Sequence, residues 1–180
     1  MAHAPSAPVE IRPAKPADVP ALARLAVETF TAAAGDSFAA SDLAAHLDAH
    51  LSEACIARMI AVDAVLLAET AGRMIGLVQF GAVKMAVAGA TDADRELSRL
   101  YVAAAYQGLG IGTRLMAAAL DHPQLSGAPN VYLDVWEHNH DAQRLYRRHG
   151  FAVIGKHRLD LASDADSDVD LIMVRRQRPA

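Results

Sequence analysis

A chain of 180 residues has room for one domain of ordinary size with short appendages, and excludes two large ones. Hydrophobic residues make up 53% and charged residues 21%, enough apolar side chain for a packed core and too little charge for a disordered chain. With 17 Lys and Arg against 21 Asp and Glu the net charge is -4, so no bulk basic field grips a phosphate backbone, and nucleic acid is excluded as a general partner. The single cysteine, Cys55, can neither close an internal disulfide nor complete a zinc set, which points to a reducing, cytoplasmic setting. Met1–Pro8 lacks the basic and apolar regions of a leader, and Asp63, Gln79 and Lys84 interrupt the apolar stretches. The expectation is a protein neither exported nor membrane-spanning.

Residues 1–8 read as a flexible tail, 9–176 as one domain and 177–180 as a C-terminal tail. Val9–Arg12 alternates as a short strand does, and Ala17-Asp18 opens a helix carrying Leu22, Leu25, Ala26 and Phe30. Residues 31–60 hold one or two further helices, with Ser41 as an N-cap for the segment bearing Leu43, Leu47 and Leu51. Residues 64–69 and 74–85 form a hairpin across Ala71-Gly72, and 87–94 is a loop. Then come a strand at 96–102, a glycine-rich turn at 107–112, a helix at 113–120 and a strand at 131–136. Asn139 caps a helix carrying Ala142, Leu145 and Tyr146 that Gly150 ends in a left-handed cap. Two strands, 151–161 and 168–174, close the domain around an Asp-rich turn. No internal repeat is present. The order β-α-α-β-β-β-α-β-α-β-β predicts an α/β or α+β domain, a mixed sheet with helices on its faces.

Three segments can carry chemistry. Gln107-Gly108-Leu109-Gly110-Ile111-Gly112 turns a strand into a helix, so backbone N–H groups can converge on a pyrophosphate. The turn lacks the Gly-Lys-Ser/Thr of a P-loop and the third glycine of a dinucleotide fingerprint. Tyr146 lies seven positions after Asn139, about two helical turns, so both can meet one ligand or serve as a cap and a half-buried tyrosine. Glu96 lies in a strand; in a cleft, desolvation would fit it to accept a proton from an amine, and at a strand end it would be a solvated charge. His46 with His50, and His138 with His140, lack a further ligand set at metal spacing, so no metal site is expected. Cys55 reads as a small apolar thiol. Asp160, Asp164, Asp166, Asp168 and Asp170 read as a solvated turn, or as a lure for a cationic substrate.

Jointly, Ile11-Arg12-Pro13-Ala14 with Asp18, Glu96–Val102, the Gln107/Gly110/Gly112 turn, Val135–Phe151 and Asp170–Met173 resemble the GNAT superfamily of acetyl-CoA-dependent N-acetyltransferases. The resemblance covers residues 9–176 and is nearest to bacterial members that acetylate polyamines and small amines. It implies a mixed, largely antiparallel sheet with helices on both faces and a splayed central pair of parallel strands. Leu100, Tyr101 and Val102 would then bind the acetyl carbonyl and the pantetheine amides through their backbone. Gln107, Gly108, Leu109, Gly110, Ile111, Gly112 and Thr113 would hold the pyrophosphate, Asn139 the cofactor arm, and Tyr146 the thioester sulfur. Leu109 stands where the family often has Arg or Lys, and Ala104 where it often has Pro; the first removes one charge from the phosphate site.

The roles assigned in this way are Glu96 as base, directly or through a water, the Leu100 N–H as oxyanion donor, and Tyr146 beside the departing thiolate. A thiol near 8.5 is a stronger acid than a phenol near 10, so Tyr146 would orient and stabilise the thiolate rather than protonate it outright. The implied partners are acetyl-CoA and a small amine, with no nucleic acid, no membrane and a homodimer as in related proteins. The alternatives are a protein N-terminus or lysine as acceptor, or a module that binds acetyl-CoA without turnover.

Overall fold

The computed structural model of the chain describes residues 7–34, 40–158 and 169–177. These form two compact units, one of the described residues up to Phe80 with Arg99–Ala119, the other of Gly81–Ser98 with the described residues from Leu120 onward. The strands are β1 (Glu10–Pro13), β2 (Ala64–Thr70), β3 (Arg73–Ala82), β4 (Arg95–Val102), β5 (Asn130–Trp136), β6 (Ala152–Arg158) and β7 (Val169–Arg176), in sheet order β1-β2-β3-β4-β5-β7-β6. The helices are α1 (Val19–Ala34), α2 (Ala40–Leu51), α3 (Glu53–Val62), α4 (Ile111–Asp121), α5 (Pro123–Ser126) and α6 (His140–Arg148). The fold is the expected mixed α/β one: the described ladders are antiparallel except β4–β5, whose parallel pairs are Arg95↔Val131 and Glu96↔Tyr132. Among the described residues no helix is long and apolar enough to cross a membrane.

In the first unit, Ala71 and Gly72 both have positive φ, 48° and 72°, which gives the mirror-image turn whose twist matches a β2–β3 hairpin. One apolar cluster joins Leu22, Leu25 and Ala26 of α1, Leu51 of α2, Ile56 and Met59 of α3, Leu67 of β2 and Leu77 of β3. Each fully buried leucine there contributes roughly 1.5–3 kcal/mol against exposure. Helix α4 covers the other face: a Cβ on Gly76 of β3 would lie 2.9 Å from the Tyr101 carbonyl and 3.0 Å from Leu115 Cδ1. Arg12 pairs with both Asp18 and Glu69, each at 2.8 Å, and ties β1 to β2 and to the turn that leads into α1. That guanidinium holds the Asp18 carboxyl below its ordinary range.

In the second unit Asp94, 1% exposed, accepts hydrogen bonds from Thr91 N and Oγ1 and from Asn130 N and Nδ2. It thereby pins the start of β4 to the start of β5. Burial opposes its charge, yet the bonds from Thr91 and Asn130 outweigh that and keep the carboxyl low. Strand β7 pairs with both β5 and β6, and Val131, Leu133, Val135 and Met173 are buried.

Several boundaries differ from expectation. Ser41 lies inside α2 rather than capping it, because Ala40 is already helical. Strand β3 stops at Ala82, short of Met85. Helix α4 begins at Ile111, within the glycine-rich turn, and α5 was not expected; Pro123 at its first position fixes φ, and His122 Nδ1 accepts from Gln124 N.

Candidate active site

The first unit supplies a backbone site. Strand β4 ends at Val102, a 3-10 turn spans Ala104–Tyr106, and Gln107 Nε2 donates to the Val102 carbonyl at 3.0 Å, closing the approach to the glycine turn. Gly108 and Gly110 have φ of 76° and 79°, a left-handed conformation in which a side chain is strained. Nothing lies within 4 Å of a Cβ built on either, so the backbone is open to a ligand. The Arg114 N–H bonds the Gly110 carbonyl, which makes Gly110 the N-cap of α4. The N–H groups of Ile111, Gly112 and Thr113 are then the first-turn donors with no partner inside the helix, at its positive end. Gly112 sits within α4 and has no positive φ; its use is to keep that turn free of side chain.

The second unit carries the titratable groups. Glu96 is 6% exposed; its Oε2 accepts from Lys84 N at 2.7 Å and Met85 N at 2.9 Å, and its Oε1 from Ser98 Oγ at 2.7 Å. It is therefore a buried, hydrogen-bonded carboxylate and not a solvated strand end. Oε1, with a single donor, keeps capacity for one more proton or water. Asn139 caps α6, its side chain accepting from Ala142 N at 3.1 Å, and Gly150, φ 88°, ends the segment as expected. Tyr146 is buried at 6% and meets Phe151 edge to face, ring centroids 6.0 Å apart.

Sequence reasoning did not single out Gln143. Its Nε2 donates to the carbonyls of Trp136 and Glu137, locking α6, and with it Tyr146, to the end of β5. Its place one turn before Tyr146 is a readable signal. Asp134 and His157 were also passed over, because each stands alone in sequence. In the structure His157 Nε2 lies 3.8 Å from Asp134 Oδ2 and 3.9 Å from Asp170 Oδ2. Burial, and then the charge of Glu96, push the Asp134 carboxyl above its ordinary range, while His157 pulls it down. The indole N–H of Trp136 is buried with no acceptor among the described residues. Of the Asp-rich turn only Asp170 is described; Asp160, Asp164, Asp166 and Asp168 lie outside the described residues. His46 stacks on Phe30, ring centroids 4.6 Å apart, and meets His50 at a tilt of 46°, centroids 4.5 Å apart, in the first unit.

Residues 21–151 match the acetyltransferase (GNAT) family. An uncharacterized N-acetyltransferase of Mycobacterium tuberculosis is 34% identical over 160 residues, 88% of this chain and 97% of that protein. The spermine/spermidine N(1)-acetyltransferase of Bacillus subtilis is 36% identical over 61 residues, 33% of this chain and 40% of that protein. Among solved structures, the PaiA N-acetyltransferase of Thermoplasma acidophilum in complex with coenzyme A superposes with a TM-score of 0.75 at 20% identity, over 94% of this chain and 99% of that one. The chain thus belongs to the acetyltransferase (GNAT) family of acetyl-CoA-dependent enzymes.

Proposed function

We propose that the protein transfers acetyl from acetyl-CoA to a primary amine, and that the acceptor is a small cationic amine such as a polyamine. The observation that carries the cationic choice is the acidic face of the second unit, where Glu96, Asp134 and Asp170 are gathered on neighbouring strands. The partial likeness to the Bacillus subtilis spermine/spermidine enzyme supports the same choice.

The residues fit the co-substrate on one test: the left-handed glycines and the open space around them leave the first-turn N–H groups of α4 accessible to a pyrophosphate. When bound, acetyl-CoA supplies the acetyl group as a thioester. Transfer forms a C–N bond and breaks the C–S bond, the amine loses one proton, and the thiolate takes one up. Glu96 Oε1, directly or through a water, accepts the amine proton. The Leu100 N–H donates to the carbonyl oxygen as charge gathers on it, Asn139 contacts the cofactor arm, and the Tyr146 hydroxyl stabilises the sulfur as it leaves. Thiol release by the purified protein, measured across spermidine, neutral primary amines and an alanine-terminated peptide, tests this. Turnover with spermidine above the others is expected; preference for the peptide would replace a small amine by a protein N-terminus, and no release with any amine would leave a binding module.

A further inference from the structure

Strand alternation gathers groups that are far apart in sequence. Trp136 of β5 and His157 of β6 are both ladder partners of Asp170 of β7, and directly opposed residues of antiparallel strands share a face. Asp134 and Tyr132 precede Trp136 by two and four residues, so the period of two puts them on that face as well. Tyr132 is in turn the parallel partner of Glu96. The face therefore runs from Glu96 through Asp134 to the row Trp136, Asp170, His157.

We infer that Asp134, His157 and Asp170 form a subsite for a second ammonium group of the acceptor, which is thereby a diamine or polyamine; the inference rests on the cationic-amine reading and names its class. The nitrogen and oxygen atoms that the three residues offer all lie within 4.8 Å of one another. Hydrogen bonds of about 2.8 Å in tetrahedral directions from one ammonium set their acceptors about 4.6 Å apart. A zinc-like ion at about 2.0–2.1 Å would draw them to about 3.3 Å, whereas His157 Nε2 stands 3.8 and 3.9 Å from its two carboxylate neighbours. The observed separations lie between the two spacings, and the choice of an ammonium rests on Glu96 and the Trp136 ring on the same face. Two carboxylates supply the charge, and an imidazole nitrogen completes the trio. Asp134 is held against burial and the charge of Glu96, a cost that an arriving cation relieves. The Trp136 ring, in the same row as Asp170, offers an aromatic wall to a methylene chain or a cation. Strands about 4.8 Å apart and a rise of about 3.4 Å per residue put the Glu96 and Asp134 Cα atoms about 8 Å apart, a distance that a short α,ω-diamine spans.

The test compares kcat/KM for cadaverine and pentylamine, which share a carbon chain and differ by one ammonium, in the wild type, Asp134→Asn and Asp170→Asn. Wild type is expected to favour cadaverine, and the cadaverine-to-pentylamine ratio to fall at least about tenfold in each variant; taking the ratio within each protein cancels any general loss. An unchanged ratio in folded variants overturns the subsite, and His157→Gln serves where an aspartate variant does not fold. Calorimetry with spermidine separates this inference from the catalytic one. Spermidine binding that depends on Asp134 supports the subsite even if no amine is acetylated, and spermidine that fails to bind overturns it. Zinc or manganese binding that requires Asp134 and Asp170, without spermidine binding, would make the trio a metal centre instead.

Discussion

Gly110 shows how one residue type serves two demands. Its φ of 79° excludes most side chains, and as N-cap it opens the first turn of α4. Gly110→Asp would add strain and place a negative charge at the proposed pyrophosphate site, so acetyl-CoA binding is expected to disappear in calorimetry; retained affinity in the folded variant would remove the turn from the site. Tyr146 is a different case. Its ring is buried against Phe151, and Phe in its place keeps that packing while deleting the hydroxyl. Tyr146→Phe is accordingly expected to lower kcat with acetyl-CoA affinity little changed, because in the proposed mechanism the hydroxyl acts on charge that appears only as the sulfur leaves. Equal kcat, with chemistry shown to be rate-limiting, would make Tyr146 a packing residue.

Elements in the second unit are positioned by buried polar clamps as much as by apolar packing. Gln143 fastens α6 through the carbonyls of Trp136 and Glu137, and Asp94 fastens the starts of β4 and β5. Asp94→Ala leaves the Asn130 and Thr91 donors without their acceptor, and a loss of about 1–3 kcal/mol in denaturant unfolding is expected. The sign with pH follows from the direction of the shift. The Asp94 carboxyl titrates below its ordinary value in the folded chain, so its contribution is complete above about pH 4 and is lost as the pH falls through the folded value. The stability gap between wild type and variant should therefore narrow in acid. A gap that stays constant down to pH 2 would assign the clamp to packing alone.

At the scale of the molecule, the net charge of -4 and the acidic face of the second unit act together on an approaching cation. Exposed charges are screened over about 8 Å at 0.15 M ionic strength, while a buried pair is screened less. Raising the salt is thus expected to increase KM for spermidine while leaving kcat nearly unchanged, if the field draws the acceptor in. A neutral amine used as well as spermidine at low salt would count against the polyamine reading.

Much of this was legible in the residues: the glycine-rich turn at 107–112, Gly150 as a left-handed cap, Asn139 as a cap, the hairpin at Ala71-Gly72 and the strand carrying Glu96 are local features, set by dihedral preference, capping and the period of apolar residues. The joint order of those segments was enough for the family. Where β3 stops and where α4 starts were misjudged by a few residues, since ladder partners and cap geometry set element ends more than propensity does. The Asp134, His157 and Asp170 cluster was not legible at all. Cross-strand register brings it together from β5, β6 and β7, and register depends on pairing between distant segments that no local spacing encodes. Two of the three hydrogen bonds that hold Glu96, beside that from the Ser98 hydroxyl, come from the backbone of Lys84 and Met85, donors that any residue but proline would carry, so side-chain identity at 84 and 85 holds no trace of them.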